Sequence, residues 1–286
     1  MTASLTVNGG QKTEYRATLD LSYNQPADIP QNEPTLLPLP NSSEIRALLL
    51  DIEGTTTPID FVCKTLFPYA AGNVEQFLRK NQSDPEIKNL IAELRSTWSG
   101  AASSGAPVWI ESSREEKLAS AVSYVRWLIA RDSKITPLKT LQGKIWEQGF
   151  RNGALKGELY PDVAPAFARW RTQHKRIAIF SSGSVLAQRL LFAHSTLGDL
   201  SSFIEAYFDT TSGPKREPAS YHKIAAALKL SSSTVLFVSD TGQELDAARG
   251  ADLRTALSLR AGNPSEITAV EQRHPAIHNF NELFAA

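Results

Sequence analysis

One pattern constrains this chain more than any other. A short, mostly apolar run stops at an acidic or small polar residue, and a helical pattern follows. Ile45 to Leu50 ends at Asp51, Arg176 to Phe180 ends at Ser181, and Val235 to Val238 leads through Ser239 to Asp240; a weaker run covers Thr255 to Leu259. Runs of four to six apolar residues without alternation suit strands covered on both faces. Strand, loop and helix in repetition imply a parallel sheet with right-handed crossovers. Ligands of such sheets sit beyond the C-terminal strand ends, and Asp51, Ser181 and Asp240 all lie there. They share one crevice if their strands are neighbours.

The spacing between these runs is uneven. About 130 residues separate Asp51 from Ser181, where a crossover needs only a dozen or more, so a second body is inserted between the first two strands. Its texture is helical: Phe77 to Lys80, Pro85 to Trp98, Arg114 to Ala130 and Leu138 to Phe150 carry apolar residues three and four apart. Ser99 to Pro107 reads as the loop joining two of these helices. Trp98, Trp109, Trp127 and Trp146, four of the five tryptophans, fall here and are expected to pack the insertion's own core, with a minority facing the crevice. Residues 1–43 hold five of the sixteen prolines and no sustained periodicity, the pattern of a flexible extension.

Charge narrows the possible partners. Thirty Lys and Arg balance thirty Asp and Glu, with a pI near 7.0, which leaves no electrostatic footprint for nucleic acid. A single cysteine, Cys63, excludes an internal disulfide and a thiolate zinc cluster, so any metal is held by oxygen. No run approaches the ~20 apolar residues of a membrane span, and the N-terminus lacks a secretory signal. The expected compartment is the cytosol, with the nucleus as a second.

Residues i and i+2 of an extended segment face the same side, so Asp51 and Glu53 can look into one site while Ile52 turns to the core. An acidic residue after an apolar run can equally form a turn or cap a helix. Asp240 repeats the arrangement on a second strand. Two carboxylates brought together in a crevice repel unless they share a proton or hold a cation, and Mg²⁺ favours one or two carboxylates with water and phosphate oxygens. Ser181-Ser182-Gly183-Ser184 opens a helix, where free backbone N–H groups suit a phosphate; plain N-capping explains the serines too. Lys215 stands in a loop after Phe208-Asp209, where a lysine is ordinarily just solvated. In chain order, Asp, Ser, Lys and Asp on one rim resemble the haloacid-dehalogenase-like phosphatases.

A narrower resemblance rests on DIEGTTTPIDFV followed by LFPYA, on SSGSVLAQRLLFAHSTLGD at 181–199 with YFDT at 207–210, and on LQGKIWEQGF. These stretches are similar to the bifunctional enolase-phosphatases of methionine salvage, over about residues 45–285. The resemblance implies an α/β fold: a Rossmann-like parallel-sheet core, 44–64 and 159–286, with an inserted helical cap, 65–158. It also implies one Mg²⁺ per subunit and a two-step conversion of 2,3-diketo-5-methylthiopentyl-1-phosphate, enolisation and then loss of phosphate. Asp51, Glu53 and Asp240 fall on the metal positions, Ser181, Ser182 and Lys215 on the substrate positions, and Asp51 and Glu53 on the catalytic ones. Most members of the superfamily carry D-x-D at the first motif; Glu53 departs from this, and its longer arm makes it the first candidate for proton transfer. Glu244 stays outside the matched set. A small phosphate ester is the expected partner of a monomeric chain. The alternatives are a phosphatase or phosphomutase acting on another ester, or a non-catalytic scaffold.

Overall fold

A run such as Ala47-Leu48-Leu49-Leu50 has no polar face, so it is stable as a strand only when both faces are covered. That is its place in the computed structural model of the protein, which describes residues 37–101, 105–261 and 273–285. β1 (Ala47–Leu50) is buried along its whole length. Its sheet also holds β2 (Arg176–Phe180), β3 (Ala206–Phe208), β4 (Val235–Ser239), β5 (Arg254–Ser258) and β6 (Ala276–Ile277), in the order β3-β2-β1-β4-β5-β6. Every neighbouring pair is parallel.

Period-two geometry divides β1 between two cores. Leu48 and Leu50 join Ile179, Val238 and Phe167 on one face, while Ala47 and Leu49 join Phe180, Phe237, Tyr221 and Leu245 on the other. The first face is covered by α6 (Val163–Thr172) and α7 (Val185–Ala193), the second by α8 (Pro218–Ala227) and α9 (Gly242–Gly250). Leu49 is fully buried, and truncating it to alanine would cost roughly 2–5 kcal/mol.

Between β1 and β2 run α1 (Ile59–Phe61), a π turn over Val62–Leu66, α2 (Phe67–Lys80), α3 (Pro85–Ala101), α4 (Arg114–Ile129) and α5 (Thr136–Arg151). Ser113 caps α4 by accepting from the Glu116 N–H at 3.1 Å, and a proline opens α5 at its first turn, where a missing N–H has no cost. Trp98, Trp109, Tyr124 and Trp127 form a chain of rings with centroids 5.8–6.2 Å apart. Trp146 behaves differently. It stacks on Phe67 and donates from Nε1 to the Leu66 carbonyl at 2.8 Å.

Some expectations change in detail. The sequence division at 64/65 falls inside a continuous helical run, because Val62–Leu66 is a π turn leading directly into α2. Residues near Gly157 are pinned: the Gly157 N–H donates to the His194 carbonyl at 2.8 Å, and a Cβ there would stand 2.3 Å from the Leu191 carbonyl oxygen. The weak run at 255–259 is a strand one residue earlier, and β3 and β6 were not visible as runs because they have three and two residues. Of the flexible extension expected over 1–43, residues 1–36 lie outside the described residues. Its last stretch is ordered into a short 3₁₀ turn, Ser42–Glu44, whose first carbonyl accepts from Lys175 Nζ at 2.6 Å. Of the expected 99–107 loop, 99–101 belong to α3 and 102–104 lie outside the described residues. Among the described residues no helix is long and apolar enough to cross a membrane.

Candidate active site

Register brings the acidic tips together. Leu50 pairs with Val238 across β1 and β4 and with Ile179 across β1 and β2, and the Asp51 N–H donates to the Val238 carbonyl at 3.0 Å. Strands in a sheet lie about 4.7–4.9 Å apart, so Asp51, Ser181 and Asp240 emerge side by side. The condition set by the sequence is met.

The chain leaves β1 through a buried turn that explains Gly-Thr-Thr-Thr. The Ile52 carbonyl accepts from the N–H groups of Thr55, Thr56 and Thr57 at 2.9–3.2 Å, and the Thr56 hydroxyl donates to the Asp51 carbonyl at 3.1 Å. Gly54 adopts φ 67°, the left-handed region that a side chain would resist. From β5 and the loop after it, the Ser258 hydroxyl donates to the Gly54 carbonyl at 3.1 Å and Arg260 Nε to the Thr55 carbonyl at 3.0 Å. Asp51 and Glu53 are thereby held on a braced loop.

Asp51 is almost wholly buried, at 3% exposure. Its Oδ1 accepts from the Ile52 N–H and from Lys215 Nζ, each at 2.7 Å, and its Oδ2 from the Ser239 hydroxyl at 3.0 Å. Lys215 also reaches Glu244 Oε2 at 2.5 Å, and Ser239 donates to the same oxygen at 3.1 Å. Its loop is fixed from below by Tyr221, whose hydroxyl donates to the Lys215 carbonyl at 2.6 Å. Glu53 points the other way, with Oε2 3.5 Å from the Ser181 hydroxyl, at the long limit of a hydrogen bond.

Asp51 and Glu244 thus contact one ammonium, and Glu53 and Asp240 stand near enough to feel its charge. Burial, then the Asp51 charge, pushes the Asp240 carboxyl up to about 6 and Glu244 up to about 7, and raises Glu53 as well. Burial pulls Lys215 down, but Asp51 and Glu244 more than offset it and hold its pKa above the ordinary value. The site carries more negative charge than its own cation can balance. Among the described residues no three Asp, Glu, His or Cys side chains are gathered closely enough to form a ligand set alone. Two adjacent carboxylates, Asp51 and Asp240, in excess negative charge nonetheless suit a hard divalent cation completed by carbonyl, water and phosphate oxygens.

On the β2 rim, Ser184 caps α7 by accepting from the Ala187 N–H at 3.3 Å. Capping therefore accounts for Ser184 and leaves Ser181 and Ser182 for another purpose. Buried Gln188 donates to the carbonyls of Gly183 and Phe208, both at 2.8 Å, and holds this loop to the end of β3. Above the rim lies a cleft lined by Glu53, Phe61 and Ser181–Ser184 and, from the insertion, by Leu66, Phe67, Lys134, Lys139 and Trp146. Such a cleft can hold a short apolar chain with its polar end at the carboxylates.

The structure brings all six sequence-predicted residues to this rim and cleft. It adds Glu244 and Ser239, which sequence reasoning left out. Glu244 carried a usable signal, an acid in the first turn of the helix after Asp240; Ser239 read simply as strand.

A family model of haloacid dehalogenase-like hydrolases matches residues 45–252, so fold and rim together define a hydrolase of that class. The Enolase-phosphatase E1 of Synechococcus elongatus is 52% identical, covering 86% of this chain and 100% of that protein. Its namesake from Drosophila willistoni is 42% identical, covering 84% and 97%. Among solved structures, the UTR4 protein of Saccharomyces cerevisiae matches with a TM-score of 0.69 at 34% identity, covering 84% of this chain and 100% of that one. The chain belongs to the enolase-phosphatase E1 family.

Proposed function

We propose that the protein carries out, with Mg²⁺, the enolisation and dephosphorylation of 2,3-diketo-5-methylthiopentyl-1-phosphate, giving 1,2-dihydroxy-3-keto-5-methylthiopentene and phosphate. The observation that supports this most directly is the junction of two environments at Glu53: a carboxylate rim with one lysine on one side and an apolar cleft from the insertion on the other. A phosphate ester with a short thioether tail has the same two halves.

Asp51 attacks phosphorus and becomes an aspartyl-phosphate, while the phosphoryl oxygens are met by Lys215, the Ser181 hydroxyl and the backbone of Ser182. Asp51 and Asp240, with oxygen from the Glu53 segment, would hold the metal, which supplies positive charge against the attacking and leaving oxygens. Glu53 performs the proton work. Its raised pKa makes it a better base toward the C1 proton and, once protonated, an acid for the departing oxygen; deprotonated again, it activates the water that attacks the aspartyl-phosphate, freeing phosphate and restoring Asp51. Reaching both positions needs the longer arm of glutamate. The inserted helices, 65–158 in the sequence division, act as the cap that excludes water and receives the tail.

The test supplies the diketone phosphate with and without Mg²⁺ and follows ultraviolet absorbance and free phosphate together. With Mg²⁺, an enolic absorbance and stoichiometric phosphate are expected; without it, neither. Phosphate release with no enolic product would reduce the reading to a plain phosphatase, and an isomeric phosphate ester would make it a mutase. In Glu53→Gln, still folded, enolisation should fall by roughly 10²-fold or more, the usual size of a general base contribution.

A further inference from the structure

One lysine of the insertion reaches the rim itself. Lys139, on α5, is half-buried, and its Nζ donates to the Ser182 carbonyl at 2.9 Å and to the Thr210 hydroxyl at 3.1 Å. Both acceptors are neutral, a carbonyl and a hydroxyl, so a long side chain is partly desolvated for two neutral contacts, with Asp209 near enough to favour its charge. They belong to different loops, one after β2 and one after β3. Burial and the nearby Lys134 lower the Lys139 pKa, which shows that holding the ammonium there has a cost.

The peptide that Lys139 grips is held at its other end as well. The Ser182–Gly183 carbonyl accepts from Lys139, and its N–H, on Gly183, donates to the Ser181 hydroxyl oxygen at 3.1 Å. A charged donor on the carbonyl polarises the peptide and strengthens the N–H as a donor. With one Oγ lone pair engaged, the Ser181 hydroxyl keeps its hydrogen to donate, and Glu53 Oε2 lies 3.5 Å away. We propose that Lys139 is a positioning residue: from the insertion it pins the Ser182–Gly183 peptide and so directs the Ser181 hydroxyl at Glu53. The inserted helices thereby do more than roof the cleft, since their docking sets the geometry of the proton-handling carboxyl. This inference rests on the reading of Ser181 and Glu53 given above.

Amide hydrogen exchange and kinetics together test it. In Lys139→Met, the Gly183 amide should exchange roughly tenfold faster, and kcat should fall roughly tenfold with KM changed far less, the size of one charge-assisted hydrogen bond. Lys139→Arg should restore most of both, because a guanidinium can also donate to two acceptors. Thr210→Val, which keeps the Ser182 contact, should give a smaller effect of the same kind and replaces the methionine variant if that one fails to fold. Wild-type exchange at Gly183 in Lys139→Met would overturn the proposal, and so would faster exchange with unchanged kcat. Exchange needs no substrate, so it stands if the diketone phosphate proves to be the wrong compound; kcat would then be read with a simple aryl phosphate.

Discussion

The two ends of the same strands carry charge in opposite ways. At the N-terminal end, Arg176 forms a bidentate pair with Glu205, Arg254 faces Glu44 at 3.5 Å, and buried Lys175 donates to the Ser42 and Ile45 carbonyls at 2.6 and 3.0 Å. Two of the cations there face a carboxylate each, and the buried lysine is met by carbonyls. At the C-terminal end, four carboxylates share the field of one lysine that contacts two of them, and three are pushed toward the protonated form. One end is balanced to stand still; the other stays unbalanced until something binds. Conversion of that imbalance into chemistry is the function of the rim, and it has a stability cost.

If the contrast is real, the largest effects come from the unbalanced end. Asp51→Asn should reduce phosphate release by roughly 10⁴-fold or more, the loss expected when a nucleophile is removed, in a steady-state phosphate assay with circular dichroism confirming the fold. Next in size, Lys215→Met should lower activity by about 10²–10³-fold. It should also cost about 3–5 kcal/mol of stability, because it leaves buried carboxylates without their cation. Chemical denaturation with and without Mg²⁺ would read both, and the metal should recover more stability in this variant than in the wild type. A variant as stable as wild type would break the comparison.

A smaller effect concerns pH. Asp240 and Glu244 titrate near 6 and 7 in the fold and near 4 when unfolded. Between those values the folded protein binds more protons than the unfolded chain, so the metal-free protein loses stability as pH rises from about 4 through 7. Mg²⁺ competes with those protons. Its stabilisation, read as a rise in Tm, should therefore be larger at pH 8 than at pH 5; the reverse order would remove the carboxylates from the metal's surroundings.

Much of this was legible before the fold. Asp51, Ser181 and Asp240 could be placed because strand ends in a parallel sheet are fixed by topology, and topology follows from the spacing of apolar runs. Lys215 could be placed only through its order in the chain, since nothing local in SGPKREP marks it as buried. The contacts of Glu244 and Ser239 were not legible for a different reason: Glu244 meets Lys215 and Ser239 meets Asp51, each from another crossover, and no periodicity encodes a contact between loops. Lys139 was hidden in the same way, its acceptors 43 and 71 residues away. The π turn at 62–66 shifts helix phase without changing composition, so nothing in the sequence marked the division at 64/65 as falling inside a helical run.

The smallest predictions lie at the balanced end and sharpen the contrast by their modesty. Lys175→Met removes a buried donor from two carbonyls and a cation 4.5 Å above the Phe284 ring. It should cost about 1–3 kcal/mol through those unsatisfied acceptors, lowering Tm by several degrees with kcat and KM unchanged. Arg254→Gln removes still less. Arg254 and Glu44 are each 53% exposed, and a solvated pair of this kind contributes roughly 0–1 kcal/mol. Tm should therefore hold within about 2–3 °C, and any residual effect should shrink as salt is added. Because Arg254 opens β5, whose far end supplies Ser258 to the Gly54 carbonyl, a change in kcat without a change in Tm would mean that the strand transmits charge from one rim to the other. The two ends would then be one system.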